Sequence, residues 1–374
     1  MEEMLSTIEV CGRELTVRTW EPSSADALSV FPCEGEYPVY NDDVYDLMNE
    51  DPSCCETYGE AISQLVRDRV VLDIGTGRDA NWAIESAQAG ARKVYAIEVI
   101  PEWAEAARRS VKEEGWEDVI TVLTGASTDL VLPEQVDVCI SEIIGSIGGS
   151  EGAAASILDA KARFMGNAGI SIPHRCTTLV AGASLSSTYP HGIAFDLEGL
   201  DMVRDIFNTV GYPFDVRLCL DGETAEGVRR ATRDSLVTDV GDAEDLRFNT
   251  GLVDSGEDHL RLTVTRADLL TGLVLWPRLQ VIDGGPVIDS LHQETGWSPC
   301  YAPLFTDGVA VQPGDVLDLR FRWQLSDDGR HPDYAVTGSI ERAGRPRAPF
   351  TWNSPHHAAD FRSSAIYQWL FPVG

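Results

Sequence analysis

The sequence predicts an α/β half built on a mainly parallel sheet, followed by an all-β half. Three observations carry this. Between Val70 and Phe164, short β-branched apolar runs alternate with stretches of helical spacing. The first run passes through the tight turn Gly75-Thr76-Gly77 into a helix. After Pro173 the rhythm changes to short alternating runs punctuated by Gly, Asp and Pro.

Taken in order, residues 1–36 mix an alternating stretch, Thr16 to Trp20, with loop sequence and read as an N-terminal extension. From Tyr40 to Arg69 the apolar spacing fits two short helices, one carrying Val44, Leu47 and Met48, the other Tyr58, Ile62, Leu65 and Val66. Val70 to Ile74 is a strand, and the stretch through Ala89 a helix. Lys93 to Glu98 is a strand, and Pro101 to Glu114 a helix opened by proline. Val119 to Leu123 and Val136 to Glu142 are further strands, and Glu151 to Phe164 a helix. Right-handed crossovers make residues 37–173 a Rossmann-like domain. Residues 174–374 form the β module, with Thr177–Ala181, Leu260–Val264, Gly272–Trp276 and Val316–Phe321 as strands. A helix-compatible insertion, about 193–245, interrupts it.

Composition narrows the function. With 29 basic against 60 acidic side chains the net charge is −31, which argues against nucleic-acid backbone binding. No run approaches the roughly 20 apolar residues of a membrane helix, and Met1-Glu-Glu-Met lacks a signal-peptide pattern, so a cytoplasmic setting is expected. The eight scattered cysteines show neither zinc spacing nor a disulfide scaffold, so no metal is expected.

A strand that ends in Asp73 before Gly75-Thr76-Gly77 sets free backbone N–H groups and a helix start at the carboxyl edge of the sheet. Glu98 ends the second strand, 23 residues after Gly75, where a carboxylate can accept both ribose hydroxyls. The layout suits a nucleoside cofactor and leaves a dinucleotide and S-adenosylmethionine both open. Next comes Ser141-Glu142-Ile143-Ile144-Gly145-Ser146-Ile147-Gly148-Gly149-Ser150-Glu151, two glutamates flanking a glycine-rich bend. Two carboxylates brought close repel unless a cation lies between them. A guanidinium fits that need, because its planar fork matches carboxylates.

Together these residues resemble the protein arginine methyltransferase family. The likeness runs from about Tyr40 to Tyr334: Val71 to Gly77, Ala89 to Glu98, the double-glutamate loop, Ile172-Pro173, Thr295-Gly296-Trp297 and Gly314 to Leu317. It implies S-adenosylmethionine as methyl donor, a Rossmann-like domain joined to a β-barrel, and a helical arm making homodimers. It implies that Asp73, Gly75 and Gly77 line the methionine part, that Glu98 binds ribose, and that Glu142 and Glu151 clamp the acceptor. Tyr45 and Met48 would belong to a helix closing over the cofactor, with Tyr45 and Trp297 against the acceptor.

The chain departs from the family pattern at several positions. Cys54 stands where the family has an arginine for the cofactor carboxylate, with Arg78 as the substitute expected. Ala80 replaces the third glycine, Thr128 an adenine-contacting glutamate, and Gly296 a histidine. The residues between the glutamates, Ser146, Gly148 and Gly149, are small, which predicts an open pocket for a different or larger acceptor than a peptide arginine. The leading function is N-methylation of a guanidino group of free arginine, a small metabolite or a peptide. The alternatives are a relative methylating another N, O or C acceptor and a non-catalytic dimeric scaffold. The aromatic tail from Pro349 to Gly374 is expected to pack on the barrel.

Overall fold

The computed structural model describes residues 4–20, 28–33, 45, 49, 51–211, 217–222, 224–354 and 364–372. Met48 and the first of the two helices expected before Arg69 lie outside them, apart from Tyr45 and Asn49, which are both helical. The N-terminal residues form a hairpin, β1 (Met4–Val10) and β2 (Arg13–Thr19), and a strand, β3 (Ser29–Cys33). Helix α1 (Pro52–Leu65) follows, capped by Asp51, whose side chain accepts from the Cys54 N–H at 3.0 Å.

The α/β half is then β4 (Val70–Ile74), α2 (Asn81–Gln88), β5 (Lys93–Glu98), α3 (Pro101–Glu113), β6 (Ile120–Thr124), β7 (Val136–Ser141), α4 (Ala153–Arg163) and β8 (Met165–Ile172). The strands lie in the order β6-β5-β4-β7-β8, every neighbouring pair parallel. β4 is buried along its whole length, as a strand covered on both faces must be. Val71, Ala96 and Val138 pack on one side, and Leu72, Ile97 and Cys139 on the other. β8 was not expected from the sequence, because Gly166 and Gly169 dilute its apolar run.

The second half continues with β9 (Arg175–Ala183), α5 (Leu197–Val210), β10 (Arg217–Asp221), α6 (Ala225–Ser235), β11 (Gly241–Arg247), β12 (Gly256–Thr263), β13 (Asp268–Leu270) and β14 (Gly272–Gln280). It ends with β15 (Val287–Asp289), β16 (Cys300–Pro303), β17 (Val309–Val311), β18 (Val316–Leu325), β19 (Pro332–Glu341), β20 (Ala348–Ser354) and α7 (Ala365–Leu370). One antiparallel sheet runs β11-β9-β14-β16-β10-β3, with β15 beside β14; another runs β12-β18-β19-β20. Their inner faces enclose the barrel core, where Val180, Leu275 and Cys300 meet Leu319, Phe321 and Val336.

Two expectations change in detail. The insertion at 193–245 holds its two helices, but β10 between them joins the large sheet, because Leu218, Cys219 and Leu220 are buried there. β3 pairs with β10 as well, so the N-terminal residues are knitted into the second half. The tail's α7 packs in the same core as β2 and α5, with Tyr367, Leu370 and Phe371 buried. Phe361 lies outside the described residues. Among the described residues no helix is long and apolar enough to cross a membrane.

Candidate functional site

A cavity of about 550 Å³ opens at the carboxyl ends of β4, β5 and β7, a volume that suits a cofactor-sized ligand. Tyr45, Gly75, Gly77, Glu98, Thr128, Glu142 and Glu151, spread from position 45 to position 151 of the sequence, all line it. Asp73, Arg78 and Trp297 are not among the residues that line it.

The turn after β4 explains its two glycines. The N–H groups of Gly75 and Thr76 both donate to Ile97 O at 3.0 Å, pinning the turn to the end of β5. Gly75 and Gly77 have φ of +78° and +67°, where a side chain is strained, and a Cβ on Gly77 would run into the Tyr45 hydroxyl. Ala80, at the position of the expected third glycine, also has a left-handed φ of 53°. Beneath the turn the fully buried Asp73 accepts from Thr76 Oγ1 at 2.6 Å. Its Oδ1 is buried without a hydrogen-bond partner among the described residues. Burial pushes the Asp73 carboxyl up to about 7, with the Thr76 bond opposing and the Glu98 charge adding to the rise.

Glu98 ends β5 with both oxygens engaged. Oε2 accepts from the Gly77 N–H and Oε1 from the Ile100 N–H, each at 2.9 Å. A carboxylate has lone pairs left after two such bonds, so it can still accept from ligand hydroxyls in the cavity. Burial raises its carboxyl and the backbone donors hold that rise back. Tyr45 closes over this end: its hydroxyl accepts from the Asp79 N–H at 3.4 Å and its ring packs on Trp103 at 4.8 Å. Arg78 spreads its guanidinium 4.7 Å above the Tyr45 ring and sits 3.6 Å from Asp79, which keeps it out of the cavity lining.

At the other end stand the two glutamates. Burial first, then the charges of Glu151 and Asp51, push the Glu142 carboxyl well above its ordinary range, against a backbone bond from Ile144. Asp51 also accepts from the Gly296 N–H at 3.0 Å, and Trp297 Nε1 donates to Ile144 O at 2.5 Å. The Thr295-Gly296-Trp297 loop thus ties the cap of α1 to the acidic loop. Cys54 lines the cavity beside these carboxylates, and burial, Glu142 and Asp51 keep its thiol well above its usual value, so it is neutral.

The small residues between the glutamates have another reason than an open pocket, and that expectation is corrected. A Cβ on Gly148 would come 2.6 Å from Cys176 Sγ, and one on Gly149 2.7 Å from Glu244 Oε1 and 3.1 Å from the Tyr334 hydroxyl. The space is filled by the barrel pressing on the loop. Sequence reasoning missed the barrel's own contribution to the cavity: Arg330 and His331, from the turn between β18 and β19, line it, and Arg330 reaches Thr128 Oγ1 at 3.5 Å. No local signal marks them, because the contact spans about two hundred residues. Asn49, Trp82, Glu85 and Trp103 were missed as well; Trp82 and Trp103 were legible only as helix residues.

Residues 32–172 match the family profile described as PRMT5 arginine-N-methyltransferase. The chain is 35% identical over 164 residues to the probable protein arginine N-methyltransferase 6 of Arabidopsis thaliana, covering 42% of this chain and 37% of that protein. It is 44% identical over 107 residues to the protein arginine N-methyltransferase PRMT10 of Oryza sativa subsp. japonica, covering 29% and 28%. The chain thus spans 37% of one relative's length and 28% of the other's. Among solved structures, protein arginine methyltransferase 10 of Arabidopsis thaliana in an open conformation superposes with a TM-score of 0.63 at 22% identity, over 84% of this chain and 98% of that one. The Trypanosoma brucei PRMT1 enzyme-prozyme heterotetrameric complex with AdoHcy gives 0.66 at 20%, over 84% and 99%. At such identities the likeness is one of fold.

Proposed function

We propose, for a chain whose residues 32–172 match an arginine-N-methyltransferase family profile, that this cavity moves a methyl group from S-adenosylmethionine to a guanidino nitrogen. The observation that carries the reading is one cavity with a glycine turn and ribose-type carboxylate at one end and Glu142 with Glu151 at the other. The residues fit the donor: the positive-φ glycines form a cradle without Cβ atoms, and Glu98 keeps acceptor capacity beside it. When bound, S-adenosylmethionine supplies an electrophilic methyl on a sulfonium, and the thioether leaves with the electron pair.

The chain's own residues do the rest. Glu142 and Glu151 hold the planar cation by charge and by directed hydrogen bonds, keeping positive charge on two nitrogens while the third is aimed at the methyl. As the new carbon–nitrogen bond forms, that nitrogen gives up a proton, for which one of the two carboxylates is the nearest base. Trp297 and Asp51 hold the acidic loop in place. Rate comes mainly from this alignment.

Free arginine, a small guanidino compound and a peptide arginine all meet this description. A homodimer through α5 and α6 is part of the proposal, as is a cytoplasmic setting, which the free thiols at Cys54, Cys139 and Cys176 suit. Labelled S-adenosylmethionine offered with arginine, guanidino metabolites and arginine peptides tests the reaction. E142Q and E151Q should each lower turnover at least about a hundredfold while binding S-adenosylhomocysteine as the parent does. Loss of that binding instead would show that the glutamates serve the donor.

A further inference from the structure

The loop between the two glutamates does not stand on its own. Its middle residue, Ile147, is buried in the barrel core, and the Gly148 N–H donates to Thr178 Oγ1 at 2.9 Å. The Gly149 N–H donates to Glu244 Oε2 at 3.1 Å, and the Thr178 hydroxyl donates to the same oxygen at 3.0 Å. On the other side the Tyr334 hydroxyl donates to Glu244 Oε1 at 3.3 Å. Glu244 is only 1% exposed and lies outside the cavity lining.

A buried carboxylate is costly unless its oxygens are satisfied, and a side chain used only for packing would be apolar. Here its donors Gly149, Thr178 and Tyr334 come from the loop and from the strands β9 and β19 that frame the loop. Gly149 lies two residues before Glu151, and its carbonyl accepts from the Gly152 N–H at 3.0 Å. Where Gly149 is fixed, the start of the segment bearing Glu151 is fixed too.

We propose that Glu244 is a positioning residue: from the barrel it sets the path of the loop that presents Glu142 and Glu151 to the acceptor. The proposal rests on the reading that these two glutamates grip the acceptor. It assigns the barrel a part in catalysis by way of a carboxylate outside the cavity lining. Burial pushes the Glu244 carboxyl up to about 7, against the pull of the Gly149, Thr178 and Tyr334 donors and of Arg217 nearby. The three donors and the Arg217 charge thus oppose burial and favour the ionised form.

The test compares E244Q and E244L in the full chain by three readouts: hydrogen exchange of residues 143–152, calorimetry with S-adenosylhomocysteine, and kcat and KM for an arginine acceptor. E244L should speed loop exchange and lower kcat by about tenfold or more each, since the bond that anchors the Gly149 N–H is lost together with those from Thr178 and Tyr334, with donor affinity unchanged. E244Q keeps an acceptor oxygen for Gly149 and Thr178 and should stay within about threefold of the parent in both. Loop exchange in E244L equal to the parent's overturns the proposal, and so does an E244Q defect as large as that of E244L. Should E244L fail to fold, T178V carries the test, with an intermediate rise in loop exchange expected and none overturning it. If the parent methylates no guanidino acceptor while the exchange data behave as expected, the positioning role stands and the reaction reading falls.

Discussion

Glu142 illustrates how a single side chain depends on what fills the site. With the cavity holding no cation, burial and the charges of Glu151 and Asp51 favour its protonated form. A guanidinium arriving between the glutamates reverses that balance, because an opposite charge favours the carboxylate. Acceptor binding should therefore release a proton at pH values below the raised Glu142 range, and the acceptor KM should climb as pH falls through that range. Calorimetry of acceptor binding in buffers of different ionisation enthalpy measures the release; observed heats that do not change from one buffer to the next would argue against a charged clamp. Asp73 gives a second residue-scale prediction. Its carboxyl is raised from 3.8 to about 7, so its contribution favours the folded state below the unfolded value and is lost as pH rises toward 7. D73N should remove that slope, adding up to about 4 kcal/mol above pH 7, read as a Tm that falls less steeply with pH than the parent's.

At the scale of elements, the turn after β4 and the acidic loop after β7 meet in one cavity because both leave neighbouring parallel strands at the same edge. The turn's two glycines differ in what surrounds them. A Cβ at Gly75 meets only Ile143 at 3.3 Å, whereas one at Gly77 displaces Tyr45, so G77A should cost more than G75A. Both carry the left-handed penalty of about 1–2 kcal/mol. G77A should in addition weaken S-adenosylhomocysteine binding at least about tenfold, since a moved Tyr45 and a lost Glu98 bond reshape that end. Equal affinities for the two variants would mean that Tyr45 does not cover the donor. The turn, its following helix and Glu98 were legible from local pattern, as was the pairing of the two glutamates. Cys54 was legible only as a missing arginine, and its neutral state follows from packing.

Across the whole molecule, the two halves share a core: Cys176, Leu246, Phe248 and Leu279 of the barrel pack with Val71, Val138 and Ile172 of the α/β domain. A separate core joins the N-terminal hairpin, α5, α6 and the C-terminal helix, where Arg18 lies 3.9 Å above the Trp369 ring and Phe371 is 2% exposed. F371A should cost about 3–5 kcal/mol in denaturant unfolding, as large-to-small changes in cores do. Because that core lies apart from the cavity lining, S-adenosylhomocysteine affinity should stay at the parent's value. A matching loss of affinity would mean that the two regions are coupled.

The sequence by itself determined the alternation of strand and helix, the glycine turn, Glu98 and the acidic pair, because each is set by spacing within a few tens of residues. Only the tertiary structure decided which groups are left out of the cavity lining, how Arg330 and His331 come to line it, and why the acidic loop is glycine-rich. Those features depend on contacts between residues 30 to 202 positions apart, where close packing and the pairing of buried polar groups leave no periodic trace in the chain.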